Sequence, residues 1–144
     1  MATHLSESRI ATRLAAVDEH AMAENRHDLD TLVATFGDEP FWDDRSASER
    51  HDGRDGVRTY YAQLFAGFPD FQLVIERKHV AEEAVIMEVR VTGTHTGEWK
   101  GIPPTGKRVE FPVCAVFTFD DSDRIEAETV YFDRMTVLGQ LGIL

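Results

Sequence analysis

An α+β fold, with helices gathered on one face of an antiparallel sheet, is predicted by a change of hydrophobic period part-way along the chain. Up to Pro69 the apolar residues recur at helical spacing, and beyond it they alternate every second residue. The 144 residues, 42% of them hydrophobic, suit one domain over residues 1–144 with a core that needs neither disulfides nor metal.

Ser6 or Ser8 can cap a first helix whose apolar positions Ile10, Leu14, Val17 and Ala21 form one stripe. Asp28 is placed to cap a short second helix that turns Leu32, Val33 and Phe36 to the core, stopped by Gly37 and Pro40. Phe41-Trp42-Asp43-Asp44 reads as a brief strand. From Arg45 to Gly53 the composition turns polar, which predicts a surface loop over a pocket mouth, with Asp43 and His51 as mouth residues. Asp55 starts a third helix, with Val57, Tyr60, Tyr61, Leu64 and Phe65 on one side, ended by Gly67 and Pro69. Strands follow at Phe71 to Val80, Ala84 to Thr96, Lys107 to Asp120 and Arg124 to Asp133, with a tight turn at Asp121-Ser122-Asp123.

Composition narrows the classes of partner. A net charge of -11, with three lysines among 15 basic residues, leaves no concentrated basic face for nucleic acid or an anionic membrane. No apolar run approaches the roughly 20 residues that span a bilayer, and Met1 to Glu7 lack the pattern of a secretory leader. The single cysteine, Cys114, has no Cys or His at zinc spacing, so a reducing cytoplasmic setting without a structural metal is expected. Phosphate-cradling loops, a nucleophile elbow and an H-E-x-x-H motif are absent from the sequence.

Strand parity selects the candidate site. Val85, Met87, Val89, Val91 and Gly93 form an apolar row that His95 continues, and Val109, Phe111, Val113, Ala115, Phe117 and Phe119 form the next. On the last strand Asp133 shares parity with Ile125, Ala127, Thr129 and Tyr131. Unbroken strands would make His95, Thr129, Tyr131 and Asp133 the polar members of apolar rows. A carboxylate in apolar surroundings beside an imidazole can be poised to move protons near neutral pH. Asp133 has a second reading, as the cap of a terminal helix. His95 could equally be a hairpin residue bonded to a carbonyl, and most of the aromatic residues could simply be core. Trp42, Phe111, Phe117 and Phe119 are the aromatic candidates for ligand contact. Lys100 and Lys107 read as solvated.

The segment Gly-Thr-His-Thr-Gly-Glu-Trp-Lys-Gly-Ile-Pro-Pro-Thr-Gly-Lys from Gly93 to Lys107, with Tyr131-Phe132-Asp133 and Gly139-Gln140-Leu141-Gly142, resembles the SnoaL-like polyketide cyclases. His27-Asp28-Leu29-Asp30 and Phe68-Pro69-Asp70-Phe71 extend the resemblance over nearly the whole chain. It implies a cystatin-like, nuclear-transport-factor-2-like cone, in which three N-terminal helices pack on a strongly curved antiparallel sheet around a small-molecule pocket. It also implies a catalytic role for Asp133 at the family's motif position. The chain departs from the family in having Ala127 and Thr129 where many members carry Glu and Trp.

Two functions stay open on these grounds. One is a cofactor-independent cyclase or isomerase: Asp133 abstracts a proton α to a carbonyl, His95 or Tyr131 steadies the oxyanion, and the walls hold a hydrophobic molecule. Thr129, Trp42, Phe111, Phe117, Phe119 and Asp43 would contact that substrate. The other is a non-catalytic carrier of a small apolar molecule. A homodimer through the open sheet face, with Glu88, Arg90, Thr92, Glu110, Cys114, Val116 and Thr118, is the expected assembly.

Overall fold

Ser6 caps the first helix, its side chain accepting the Arg9 amide, and α1 (Glu7–Asn25) follows. The computed structural model describes residues 4–144; Met1 to Thr3, part of the segment read for a leader, lie outside the described residues. Asp28 caps α2 (Leu29–Ala34) by accepting the Thr31 amide at 3.2 Å. The chain then enters β1 (Phe36–Asp44) and returns through β2 (Glu49–Asp52) before α3 (Gly53–Gly67). The strands β3 (Gln72–Val80), β4 (Ala84–Thr94), β5 (Arg108–Phe119) and β6 (Ile125–Tyr131) form the meander, and α4 (Arg134–Gln140) closes the chain.

The six strands make one sheet in the order β2-β1-β6-β5-β4-β3. Three expectations are corrected here. The sheet is mixed, because β1 runs parallel to β6 and sets Trp42 opposite Glu128. Four helices are present among the described residues, and the β1–β2 hairpin separates the third from the first two, where a polar loop had been expected from Arg45 to Gly53. The polar residues of β2 fit an edge strand, whose outer side faces water.

The core lies between the helices and the concave face of the sheet. Val17, Leu32, Phe36 and Val57 are wholly buried there, each contributing roughly 1.5–3 kcal/mol of transfer free energy. One cluster anchors α1 to the β5–β6 turn. Arg9 reaches both carboxylate oxygens of Asp123 at 2.9 Å, and Arg13 adds a third bond at 2.8 Å.

A single irregularity controls which side chains of β6 face the core. Phe119 pairs with Ile125, yet the next residue of β5, Thr118, pairs with Ala127, so Glu126 is an extra residue on β6. Such a bulge reverses the facing of everything beyond it. Ile125 points inward before the bulge, and Glu128 and Val130 are buried after it, while Tyr131 is half exposed.

Candidate functional site

A cavity of about 70 Å³ opens between α1, α3 and the concave sheet. Tyr60, Tyr61 and Leu64 of α3 line one side, with Trp42 of β1 stacked on Tyr60 at a ring separation of 3.5 Å. Met87, Val89 and Val91 of β4 and Val109, Phe111, Val113 and Ala115 of β5 supply the opposite wall. These β4 and β5 rows are the ones that strand alternation predicts.

Among the described residues, Glu24 and Glu128 are the only carboxyl groups that line the cavity. Glu24 comes from α1, one turn after His20, and Glu128 from β6 past the bulge. Both are buried, at 8% and 4% exposure. The Tyr61 hydroxyl donates to Glu128 Oε1 at 2.6 Å. His20 Nε2 lies 3.2 Å from the same oxygen, 3.2 Å from the Tyr61 hydroxyl and 3.6 Å from Glu24 Oε2. Burial, and then the charge of Glu128, pushes the Glu24 carboxyl well above the ordinary carboxylate range. Burial raises the Tyr61 hydroxyl likewise, so it stays protonated and acts as a donor. A carboxyl group whose pKa is raised by burial and a second carboxyl group therefore face one apolar cavity, an arrangement in which one group can give a proton and another take one.

The sequence-predicted residues divide around this cavity. Trp42 and Phe111 line it. Phe117 lies deeper, 5.2 Å from the His20 ring, and Phe119 packs under the Arg13 guanidinium at 4.8 Å. Asp133 was expected to turn inward and does not. Its carboxylate is exposed and caps α4, accepting the Met135 amide at 3.0 Å and the Thr136 hydroxyl at 2.8 Å. The Thr136 bond holds it below the usual carboxylate range, as suits a cap. Thr129 and Tyr131 share that outer-facing parity, for the same reason: the bulge turns them away. Asp43 also points outward, toward Arg45 at 3.5 Å, because Trp42 and Asp44 occupy the inward positions of β1.

His95 is wholly buried but sits outside the cavity lining. Its amide donates to the Lys107 carbonyl and its own carbonyl accepts the Gly106 amide, at 2.9 and 2.8 Å. Nδ1 accepts the Thr105 amide at 3.2 Å, which places the ring proton on Nε2. Burial lowers its pKa, so the imidazole is a neutral latch for the connection from Thr96 to Gly106. Gly97 of that connection packs so closely on the Ala66 carbonyl that a Cβ could not fit. The Thr96 and Gly97 amides both donate to the Gly67 carbonyl at 3.1 Å, satisfying the end of α3. The latch presents Trp99 to the cavity. Lys100, expected to be solvated, instead pairs with buried Asp44 at 2.9 Å and with Glu49 at 2.7 Å.

A family model described as SnoaL-like polyketide cyclase matches residues 9–141. The chain belongs to this SnoaL-like family. No curated protein matches the sequence. Among solved structures, a SnoaL-like protein from Jannaschia Sp. CCS1 is 21% identical over 99% of both chains, with a TM-score of 0.82. An LEH-like epoxide hydrolase of M. tuberculosis is 25% identical, covers 91% of this chain and 90% of its own, and gives a TM-score of 0.72. A protein from Catenulispora acidiphila with a ketosteroid isomerase-like fold, 19% identical over 90% and 93% of the two chains, gives 0.75 and speaks for the fold alone. The SnoaL-like chain thus has the nuclear-transport-factor-2-like architecture, with its helices and mixed sheet around the cavity.

Sequence reasoning missed His20, Glu24, Tyr61, Trp99 and Glu128. The first two carried a signal. On α1 they share a face with Val17 and Ala21 at helical spacing, and a Glu four residues after a His on an apolar stripe marks a buried polar pair. Glu128 carried none, since alternation counted along the last strand puts it outside.

Proposed function

We propose that this protein is a cofactor-independent acid–base enzyme acting on a hydrophobic carbonyl or epoxide substrate, with Glu24 as the acid and Glu128 as the base. The observation that carries the reading is the placement of these two buried carboxyl groups on one aromatic-walled cavity, where burial pushes the Glu24 carboxyl above the ordinary carboxylate range. Glu24 donates its proton to the substrate oxygen. Glu128, oriented by Tyr61, takes a proton from carbon or from a water molecule. Trp42, Tyr60 and Phe111 hold the apolar body of the substrate, and pairing of the chains through the open sheet face remains the proposed assembly. The M. tuberculosis neighbour, an epoxide hydrolase by its description, supports the choice of an epoxide as one substrate class.

The test uses two probes, styrene oxide and an aryl 1,5-diketone that closes by aldol addition. Wild-type protein converts at least one of them. Glu24→Gln and Glu128→Gln each lower kcat by about 100-fold or more, the usual contribution of a general acid or base. Asp133→Asn leaves turnover unchanged. Full activity in both glutamine variants refutes the assignment. Binding of the probes without conversion, followed by the fluorescence of Trp42 and Trp99, favours the carrier function instead.

A further inference from the structure

Reactions of the proposed kind leave the two carboxyl groups in the wrong protonation states. In aldol closure a C–H bond breaks, its proton goes to Glu128, and its electron pair forms the new C–C bond. The carbonyl π pair moves to oxygen, which takes the Glu24 proton. In epoxide opening Glu128 takes a proton from water, the water oxygen forms a C–O bond, and the ring C–O bond breaks onto an oxygen that takes the Glu24 proton. Either course ends with Glu128 protonated and Glu24 ionised. One proton must return from Glu128 to Glu24 before the next turnover.

His20 stands between them. The ring is wholly buried, with Phe36, Tyr61 and Phe117 presented edge-on at 5.2 to 5.8 Å. Its two nitrogens have different duties. The Thr35 hydroxyl donates its one hydrogen to the Leu32 carbonyl at 2.6 Å, so at its 3.3 Å contact with His20 Nδ1 it can only accept. Nδ1 therefore carries a proton, fixed by Thr35. Nε2 is left as the exchangeable site, and it is the atom within 3.2 Å of Glu128 Oε1 and 3.6 Å of Glu24 Oε2. Tyr61 is the other polar group touching Nε2, and its hydrogen is spent on Glu128. Among the described residues, no lysine, arginine or histidine lines the cavity.

We infer that His20 resets the site, accepting the proton from Glu128 at Nε2 and passing it to Glu24. The inference rests on the acid–base reading above and consumes no further reactant. His20 acts through the two carboxyl groups and does not touch substrate.

Pre-steady-state kinetics with the same two probes separate this role from a structural one. His20→Asn keeps an amide donor for Thr35 and lacks Nε2; His20→Gln reaches the Nε2 position with an amide that carries no exchangeable proton across. Each variant should give a first turnover at the wild-type rate, followed by a steady state slower by about tenfold or more, with KM within about twofold. Equal slowing of both phases, or an unaltered steady state, overturns the relay. Nitrogen-15 NMR of the wild-type ring supplies a measurement that needs no variant: Nδ1 should be protonated. A bare Nδ1 also overturns the relay. Wild-type protein that converts neither probe refutes the acid–base reading, whereas turnover lost in Glu128→Gln and unaltered in both His20 variants defeats the relay alone.

Discussion

Replacing Asp123 by Asn tests how firmly α1 is held to the sheet. The residue lies in the turn between β5 and β6 with φ 58°, a left-handed conformation that Asn tolerates, so the substitution changes charge with little backbone cost. The Arg9 hydrogen bond, opposed by burial and supplemented by Arg13, holds the carboxyl at about 2, against an ordinary 3.8. At 1.36 kcal/mol per pH unit that difference is roughly 2.4 kcal/mol, and screening at half-exposed Arg9 reduces it to about 2 kcal/mol. A folded-state pKa below the unfolded one contributes stability above the unfolded value, and the contribution disappears as pH falls through the folded value. Asp123→Asn should therefore lower Tm by about 4–8 °C near neutral pH, for a chain of this size. The gap between variant and wild type should narrow as pH falls from 3.8 toward about 2. Thermal melts followed by circular dichroism across that range measure both. A Tm difference that persists undiminished at the acid end, or is absent at neutral pH, refutes the electrostatic account.

Two further outcomes concern the connection that carries Trp99. Lys100→Met leaves wholly buried Asp44 without its cation and should cost about 3 kcal/mol by chemical denaturation, with Asp44→Asn in the same chain restoring most of it. His95 is buried with a lowered pKa, so the unfolded chain binds the proton more readily; wild-type stability should fall as pH drops through about 6.5 and below, and this component should be missing in His95→Gln.

The helices, the antiparallel meander and the apolar rows of β4 and β5 are legible because each follows from local spacing. Ser6 and Asp28 cap their helices where their short polar side chains predict. The parallel pairing of β1 with β6 joins residues more than 80 positions apart, and nothing local specifies it. The Gly93 to Lys107 motif identifies the family, yet its histidine serves the connection itself, because its backbone bonds Lys107 and Gly106 and its Nδ1 accepts the Thr105 amide, while the buried Nε2 has no hydrogen-bond partner. The acidic residue that β6 brings to the site is hidden from the sequence for one reason. Simple alternation holds only along an unbroken register, and the bulge at Glu126 exchanges the inward set of Thr129, Tyr131 and Asp133 for Glu128, Val130 and Phe132.

That lone inserted residue makes the choice of which side chains face the hollow separable from the composition of the strand. A register slip that paired Glu126 with Thr118 would rotate Thr129 and Tyr131 into the hollow and swing Glu128 out to water with no carboxylate mutated, whereas removing Glu126 would leave Glu128 opposite Phe117 and facing inward. A slip of one position, with every letter of the strand unchanged, would therefore present a different polar set to the same hollow.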